Sequence, residues 1–215
     1  MHELVALDVA ADPDAWRALG FAVDDDDMCA VDGVAIRLGS PGRKISGWAL
    51  TGVPGGVELD GLSTVPAPPP VPAAPHANRT IALDHLVVMS PDSDRTITAL
   101  AAHGVEPSRQ RRTDQYGPPF TQTFFRLGRP ILELIGPVTP AGSEPARFYG
   151  IAFTVDDLDA TAALLGDRLG RVKDAVQPGR RIATLRRDAG AGIPLAFMSP
   201  GADSLDAGAS RDEAQ

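Results

Sequence analysis

Ile81-Ala82-Leu83-Asp84-His85-Leu86-Val87-Val88-Met89, running into Ser90-Pro91-Asp92-Ser93-Asp94, reads as a strand handed directly to a helix start. The opening residues are apolar and often β-branched around a single Asp-His pair, which suits a pleated, mostly buried strand. Ser90 is placed to cap a helix with Pro91 at its first position, and Asp92 and Asp94 suit the positive end of the helix dipole. Ile97, Leu100 and Ala101 supply an apolar stripe, and Gly104 supplies the stop. Strands are expected next over 108–112, 121–127 and 130–135, with Tyr116-Gly117-Pro118-Pro119 as a loop breaker.

The same order recurs further along. Gly150-Ile151-Ala152-Phe153-Thr154-Val155 precedes an expected helix over 158–169 and strands over 171–175, 181–187 and 193–198. Asp92-Ser93-Asp94-Arg95-Thr96 aligns with Asp157-Leu158-Asp159-Ala160-Thr161, and Pro137 with Pro200, with no gap inside either matched stretch. That is an internal repeat. A looser copy fills the N-terminus: a strand over 3–9, a short helix capped at Asp12-Pro13-Asp14 with Trp16 and Leu19, and strands over 22–31, 34–38 and 45–53. The organisation expected is a degenerate βαβββ unit over 1–63, a proline-rich linker over 64–78, two paired βαβββ units over 79–200 and a disordered tail over 201–215. The acidic run Asp24-Asp25-Asp26-Asp27 lacks the glycine and glutamate of a calcium loop and reads as a solvated hairpin end.

Bulk properties bound the function. The chain has 215 residues, 43% of them hydrophobic and 22% charged, enough for a real core. A net charge of -8 argues against a nucleic-acid partner, whose phosphates need a basic face. Of 20 basic residues only Lys44 and Lys173 are lysines, so the cations are nearly all arginine, suited to carboxylate or phosphate. Cys29 stands alone, excluding an internal disulfide or a cysteine metal cluster. No leader and no apolar run of membrane-spanning length is read, so no membrane partner is expected and the cytoplasm is the expected compartment.

The repeated unit, with "DHLVV" opening one copy and "ILELIGP" closing it, resembles the vicinal oxygen chelate superfamily, the glyoxalase, bleomycin-resistance and dihydroxybiphenyl dioxygenase group. "GIAFTVDDLDATAALLG" is similar to its helix-entry segment. The resemblance covers residues 81–200 well and 1–53 loosely. It implies an α+β fold in which βαβββ units pair into a cupped mixed sheet with helices outside. In metal-using members, ligands project inward from the first and last strands of each unit. Carried over, these positions are His85 and Glu133 in the middle unit, Gly150 and Ala196 in the final one, and Leu4 and Ala49 in the N-terminal one. Half of the four-ligand set is missing from the well-matched pair, and Asp114 or Gln115 is left as a loop residue able to reach in.

Strand alternation places His85 with Leu83, Val87 and Met89, and Glu133 with Ile131 and Ile135. Ala152, Thr154, Ala196 and Met198 would complete the pocket from the facing unit. His85 and Glu133 are the candidate catalytic pair, able to hold a substrate hydroxyl or move a proton, or else a remnant pair bonded to each other or to the backbone; they are also the candidate metal ligands. His103 reads as a helix-end cation, while His2 and His76 have no framework in view. Arg109, Arg111, Arg112, Arg180 and Arg181 offer an anion clamp at the rim but read first as solvated charge. Phe120, Phe124 and Phe125 are either ligand-stacking or core.

The function expected is a glyoxalase-like protein holding a small apolar or aromatic molecule in the cup, with no cofactor. The alternative is a metal-dependent lyase, isomerase or dioxygenase that uses His85 and Glu133 with a divalent metal, and a third reading fills the cup with the protein's own side chains. The unpaired N-terminal unit would form a homodimer with its counterpart or pack against the main pair.

Overall fold

The computed structural model describes residues 2–42, 44–70, 72, 74–114 and 117–201. Gln115, Tyr116 and the tail beyond Gly201 lie outside the described residues, so the expectations placed on them do too.

The N-terminal part comprises β1 (Leu4–Ala10), α1 (Pro13–Ala18), β2 (Met28–Val31), β3 (Val34–Arg37), β4 (Lys44–Leu50) and a small hairpin, β5 (Glu58–Leu59) and β6 (Leu62–Ser63). Asp12 caps α1 through the Asp14 N–H, with Pro13 in the first turn, as the sequence suggests. The sheet order is β2-β3-β1-β4, with β1 parallel to β3 and antiparallel to β4. The elements follow one another in the expected βαβββ order, but the parallel neighbour of β1 is β3 rather than the last strand, β4. The Asp24 carboxylate accepts the Asp26 and Met28 N–H groups and closes a turn that breaks the expected 22–31 strand. β2 then lies at one edge of the sheet beside β3, and β4 at the other beside β1. The residue paired with Ala6 across the parallel ladder is Ala35, so Leu4 and Ala49 are not equivalent to His85 and Glu133.

The second part comprises β7 (Thr80–Met89), α2 (Ser93–Ala101), β8 (Pro107–Thr113), β9 (Phe120–Arg126), β10 (Ile131–Pro137), β11 (Arg147–Val155), α3 (Leu158–Leu165), β12 (Lys173–Asp174), β13 (Arg181–Thr184) and β14 (Leu195–Met198). The helix caps are Asp92 and Asp157, equivalent in the repeat; Ser90 instead bonds the Asp92 backbone. One eight-stranded sheet runs β12-β13-β14-β11-β7-β10-β9-β8. Each unit places its last strand parallel to its first, and the two first strands meet antiparallel at the centre. The α+β class and the repeated unit are as expected for this part.

Register makes the internal symmetry explicit. Glu133 pairs with Val87, which pairs with Gly150; Ala196 pairs with Ala152, which pairs with His85. The two rows are related by a local two-fold, so Gly150 is the counterpart of His85 and Ala196 that of Glu133.

The two parts share one hydrophobic core. Leu83, Leu86, Leu132, Leu134, Phe153 and Phe197 on one face of the large sheet join Trp16, Phe21, Trp48 and Leu50 in a single cluster. Trp16 lies 4.7 Å from Phe21 and 6.3 Å from Phe153, ring to ring, and Trp48 lies 5.4 Å from Phe148. The N-terminal sheet therefore packs behind the large sheet, leaving the other face of the large sheet free to form a cup. Its own outer face carries Ala6, Ala35 and Ala49, packed with Val65.

Two expectations about histidines are corrected. His76 is buried: Nδ1 accepts the Ala22 N–H at 2.9 Å and Nε2 meets the Ala30 carbonyl at 3.1 Å. His2 lies 2.6 Å from the Thr51 carbonyl. Proline-rich chain is extended enough to carry side chains back onto the core, and Asn78, fully buried, bonds the Leu19 carbonyl in the same way.

His76 has a consequence for stability. Burial lowers its pKa, only partly opposed by the Ala30 carbonyl, and the acceptor role of Nδ1 requires a neutral ring. The unfolded chain thus binds this proton more readily, so stability is full above the ordinary imidazole pKa of about 6.5 and falls as pH drops below it. Urea denaturation between pH 8 and 5 should show a loss of at most about 1.4 kcal/mol per pH unit from this group. His76→Gln should flatten that slope relative to the parent; an unchanged slope would contradict the assignment.

Candidate functional site

The cup is organised by three rows of paired residues on its inner face. One runs Gly150, Val87, Glu133, Phe124, Arg109; the next runs Ala196, Ala152, His85, Ile131, Arg126. The third runs Met89, Ile135, Gln122, Arg111. A cavity of about 560 Å³ lies over them, walled by Phe120, Phe124, Ile131, Ile135, Ile182 and Met198, with His85, Glu133 and Asp84 on its floor.

His85 and Glu133 come together. Nε2 of His85 is 3.6 Å from Glu133 Oε2, and both side chains are mostly buried. The other imidazole nitrogen, Nδ1, is 3.4 Å from Asp84 Oδ2. A carboxylate at Nδ1 fixes a proton there and turns Nε2 toward the cavity and Glu133.

Asp84 was absent from the expected site, and a bulge explains why. His85 pairs with Ala152, but Phe153 pairs with Leu83, so Asp84 is the extra residue. The bulge puts Leu83 into the core, correcting its expected place beside His85, and sends Asp84 to the cup side. There Asp84 meets Arg180 at 2.8 and 3.2 Å, and Arg180 also donates to the Ser199 carbonyl at 2.8 Å. Burial alone would raise the Asp84 carboxyl; the hydrogen bond and charge of His85 and the charge of Arg180 outweigh it and hold the group below the usual range. Arg180 is thus a buried partner, not solvated charge, with a side chain only 12% exposed.

Gln122 is a second residue the sequence reading missed. It is buried, donates to Glu133 Oε1 and accepts from Arg111 Nε at 2.7 Å. Its signal was present: it alternates with Phe120 and Phe124 on one strand face. Arg111 also lies 5.6 Å over the Phe124 ring. Arg112 pairs with Thr121, one position out of step, and so faces away from the Arg109 and Arg111 side, while Arg181 pairs with Asp159 in solvent at 2.8 Å. Phe120 and Phe124 line the cavity; Phe125 is core. Of the expected pocket, Ile131, Ile135 and Met198 line the cavity. Val87, Met89, Ala152, Thr154 and Ala196 do not, and the Thr154 hydroxyl sits 3.4 Å from Asp84 and 3.3 Å from Arg180. Cys29 is fully buried, its thiol pushed up to about 12 by burial and, less, by Asp24, and takes no part.

The arrangement fits a divalent metal poorly. Catalytic centres usually draw three or more protein ligands. His85 and Glu133 supply two, and their symmetry counterparts Gly150 and Ala196 carry no donor atom. Position 150 is closed to any side chain, since a Cβ there would stand 2.4 Å from the Pro194 carbonyl oxygen. A second acid nearby, Asp84, is held by Arg180, itself a fixed cation beside the site. Among the described residues no group of three or more His, Cys, Asp or Glu is arranged to hold a metal ion.

Cupped sheet, repeated unit and inward polar pair define a glyoxalase-like protein. The model for the Glyoxalase/Bleomycin resistance protein/Dioxygenase superfamily matches residues 84–184. Among solved structures, methylmalonyl-CoA epimerase from Mycobacterium tuberculosis is similar at 19% identity over 60% of this chain and 93% of that one, with a TM-score of 0.47. A Streptomyces coelicolor methylmalonyl-CoA epimerase variant in complex with 2-nitronate-propionyl-CoA shows 21% identity over 57% and 96%, TM-score 0.45. A hypothetical protein from Bacillus halodurans C-125 shows 14% over 55% and 94%, TM-score 0.44. No curated protein matches the chain. Among the described residues no helix is long and apolar enough to cross a membrane.

Proposed function

We propose that this is a cytoplasmic binding protein that holds a small aromatic molecule in the cup, without a metal, through a hydroxyl group placed between His85 Nε2 and Glu133 Oε2. The observation that carries this is a cavity of about 560 Å³ in which Phe120, Phe124, Ile131, Ile135, Ile182 and Met198 surround one converging acid–imidazole pair whose symmetry counterparts, Gly150 and Ala196, carry no side-chain donor atom. The cavity volume is that of ordinary small-molecule sites, and a few placed polar groups set orientation in such sites. Asp84 and Arg180 fix the imidazole; Gln122 and Arg111 fix the carboxylate. With 3.6 Å between the two atoms, one hydroxyl can bridge them, donating its proton to Glu133 and accepting from His85 Nε2–H.

Titration of the full chain with para-cresol and with toluene, followed by NMR, tests this. Para-cresol should bind at least about tenfold more tightly than toluene, the worth of one good hydrogen bond to a charged group. Glu133→Ala should bring para-cresol down to the toluene level. Neither EDTA nor added Mn²⁺ should change the affinity. Equal binding of the two probes, or binding that appears only with metal, would contradict the proposal; the second result would favour the metal-dependent enzyme.

A further inference from the structure

The three rows of the cup end on the same wing, and each ends on an arginine: Arg109, Arg111 and Arg126. They meet around the Phe124 ring at a second cavity of about 510 Å³ that adjoins the first, its remaining polar lining being Ser108 and Gln177. No acid lines it. Among the described residues neither Arg109 nor Arg126 has an ion-pair partner, and Arg111 spends only its Nε, on Gln122. In a chain of net charge -8, three guanidinium groups gathered without a counter-charge are conspicuous. Like charges repel, so this gathering is costly unless an anion joins it. Elsewhere among the described residues Arg17, Arg37, Arg79, Arg95, Arg129, Arg180 and Arg181 each have an aspartate.

We infer that this wing is an anion-binding mouth, and that the molecule held in the cup is an organic anion whose carboxylate or phosphate end lies on Arg109, Arg111 and Arg126. Guanidinium forks match either group in bidentate fashion. Glu133, Phe124 and Arg109 are partners in one row, so the anion sits two interstrand spacings from the acid–imidazole pair, about 10 Å. Phe124 lies between them as the surface on which a flat body rests. The nature of the ligand's body rests on the function proposed above; the anion site itself does not.

Two measurements on the full chain separate these. Pyrophosphate, followed at the arginine Nε–H resonances, should perturb Arg109, Arg111 and Arg126 saturably, weakening with added NaCl. The Arg109→Gln/Arg126→Gln variant, altered at two exposed side chains, should lose at least about tenfold in that affinity. 3-(4-Hydroxyphenyl)propionate should bind the parent at least about tenfold more tightly than its methyl ester, with the preference gone in the variant. The corresponding phosphonate, compared with the carboxylate, tells which anion the mouth prefers. No saturable pyrophosphate perturbation, or equal affinity for acid and ester, overturns the inference. Pyrophosphate binding at the arginines with neither acid nor ester entering the cup would leave the mouth standing and remove the proposed cup ligand.

Discussion

Trp16→Ala should lower stability by about 3–5 kcal/mol, the range for deleting a buried tryptophan. Trp16 is fully buried against Phe21 and Phe153, and its indole N–H donates to the Ala191 carbonyl at 3.1 Å. Truncation removes the ring from a core shared by both sheets and leaves that carbonyl without its donor. Because the core is continuous, the loss should appear as a lower midpoint of one cooperative urea transition, seen equally by far-UV circular dichroism and by resonances of the cup. Two separated transitions in the parent protein would show that the sheets fold independently.

Arg180→Met should cost about 3 kcal/mol at neutral pH, the low end for breaking a buried ion pair, because neither side chain is wholly enclosed. The methionine fills much of the volume but leaves the Asp84 carboxylate with only His85 and the Thr154 hydroxyl, each at 3.4 Å. The sign with pH follows from Asp84, whose folded pKa is lowered. Its stabilising contribution is present above the unfolded carboxyl pKa and disappears as pH falls through the folded one. The gap between parent and variant should therefore be full at pH 7 and close at strongly acid pH. Asp84→Asn in the Arg180→Met background should recover part of the loss, since a neutral amide needs no counter-charge. Thermal denaturation of the four proteins as a cycle measures this; additive losses would mean that the pair is not coupled.

Much of the fold was legible because it is written twice. Aspartates at 92 and 157 cap equivalent helices, and strands 81–89 and 150–155 lead into them, so each copy corroborates the other. The N-terminal part has no second copy within it: the strands of its sheet were read in the right order and number, the one over 22–31 being shortened by the turn that Asp24 closes, but nothing in the sequence told which of them lies parallel to β1. Length and alternation reveal strands, but they do not report which neighbour a strand pairs with.

The candidate site divides along the same line. His85 and Glu133 were legible as polar residues alone in apolar strands, where burial has a cost unless something meets them. Asp84 was not, because period-two alternation puts it on the far face and only a bulge returns it. Arg180 was discounted as a loop cation; its partner lies 96 positions earlier, a separation that no local pattern reports. His76 was discounted for lying among prolines, which remove ladder hydrogen bonds yet do not keep a side chain out of a core.

A crystal of the full chain grown with para-cresol and millimolar Mn²⁺, with anomalous scattering recorded for manganese, tests the metal-free cup most directly. The expected result is the cresol oxygen within hydrogen-bond distance of both His85 Nε2 and Glu133 Oε2, the ring against Phe124 or Ile135, and no anomalous peak between the two side chains. A manganese ion bound by His85 and Glu133, with the oxygen of the ligand on the metal, would contradict it.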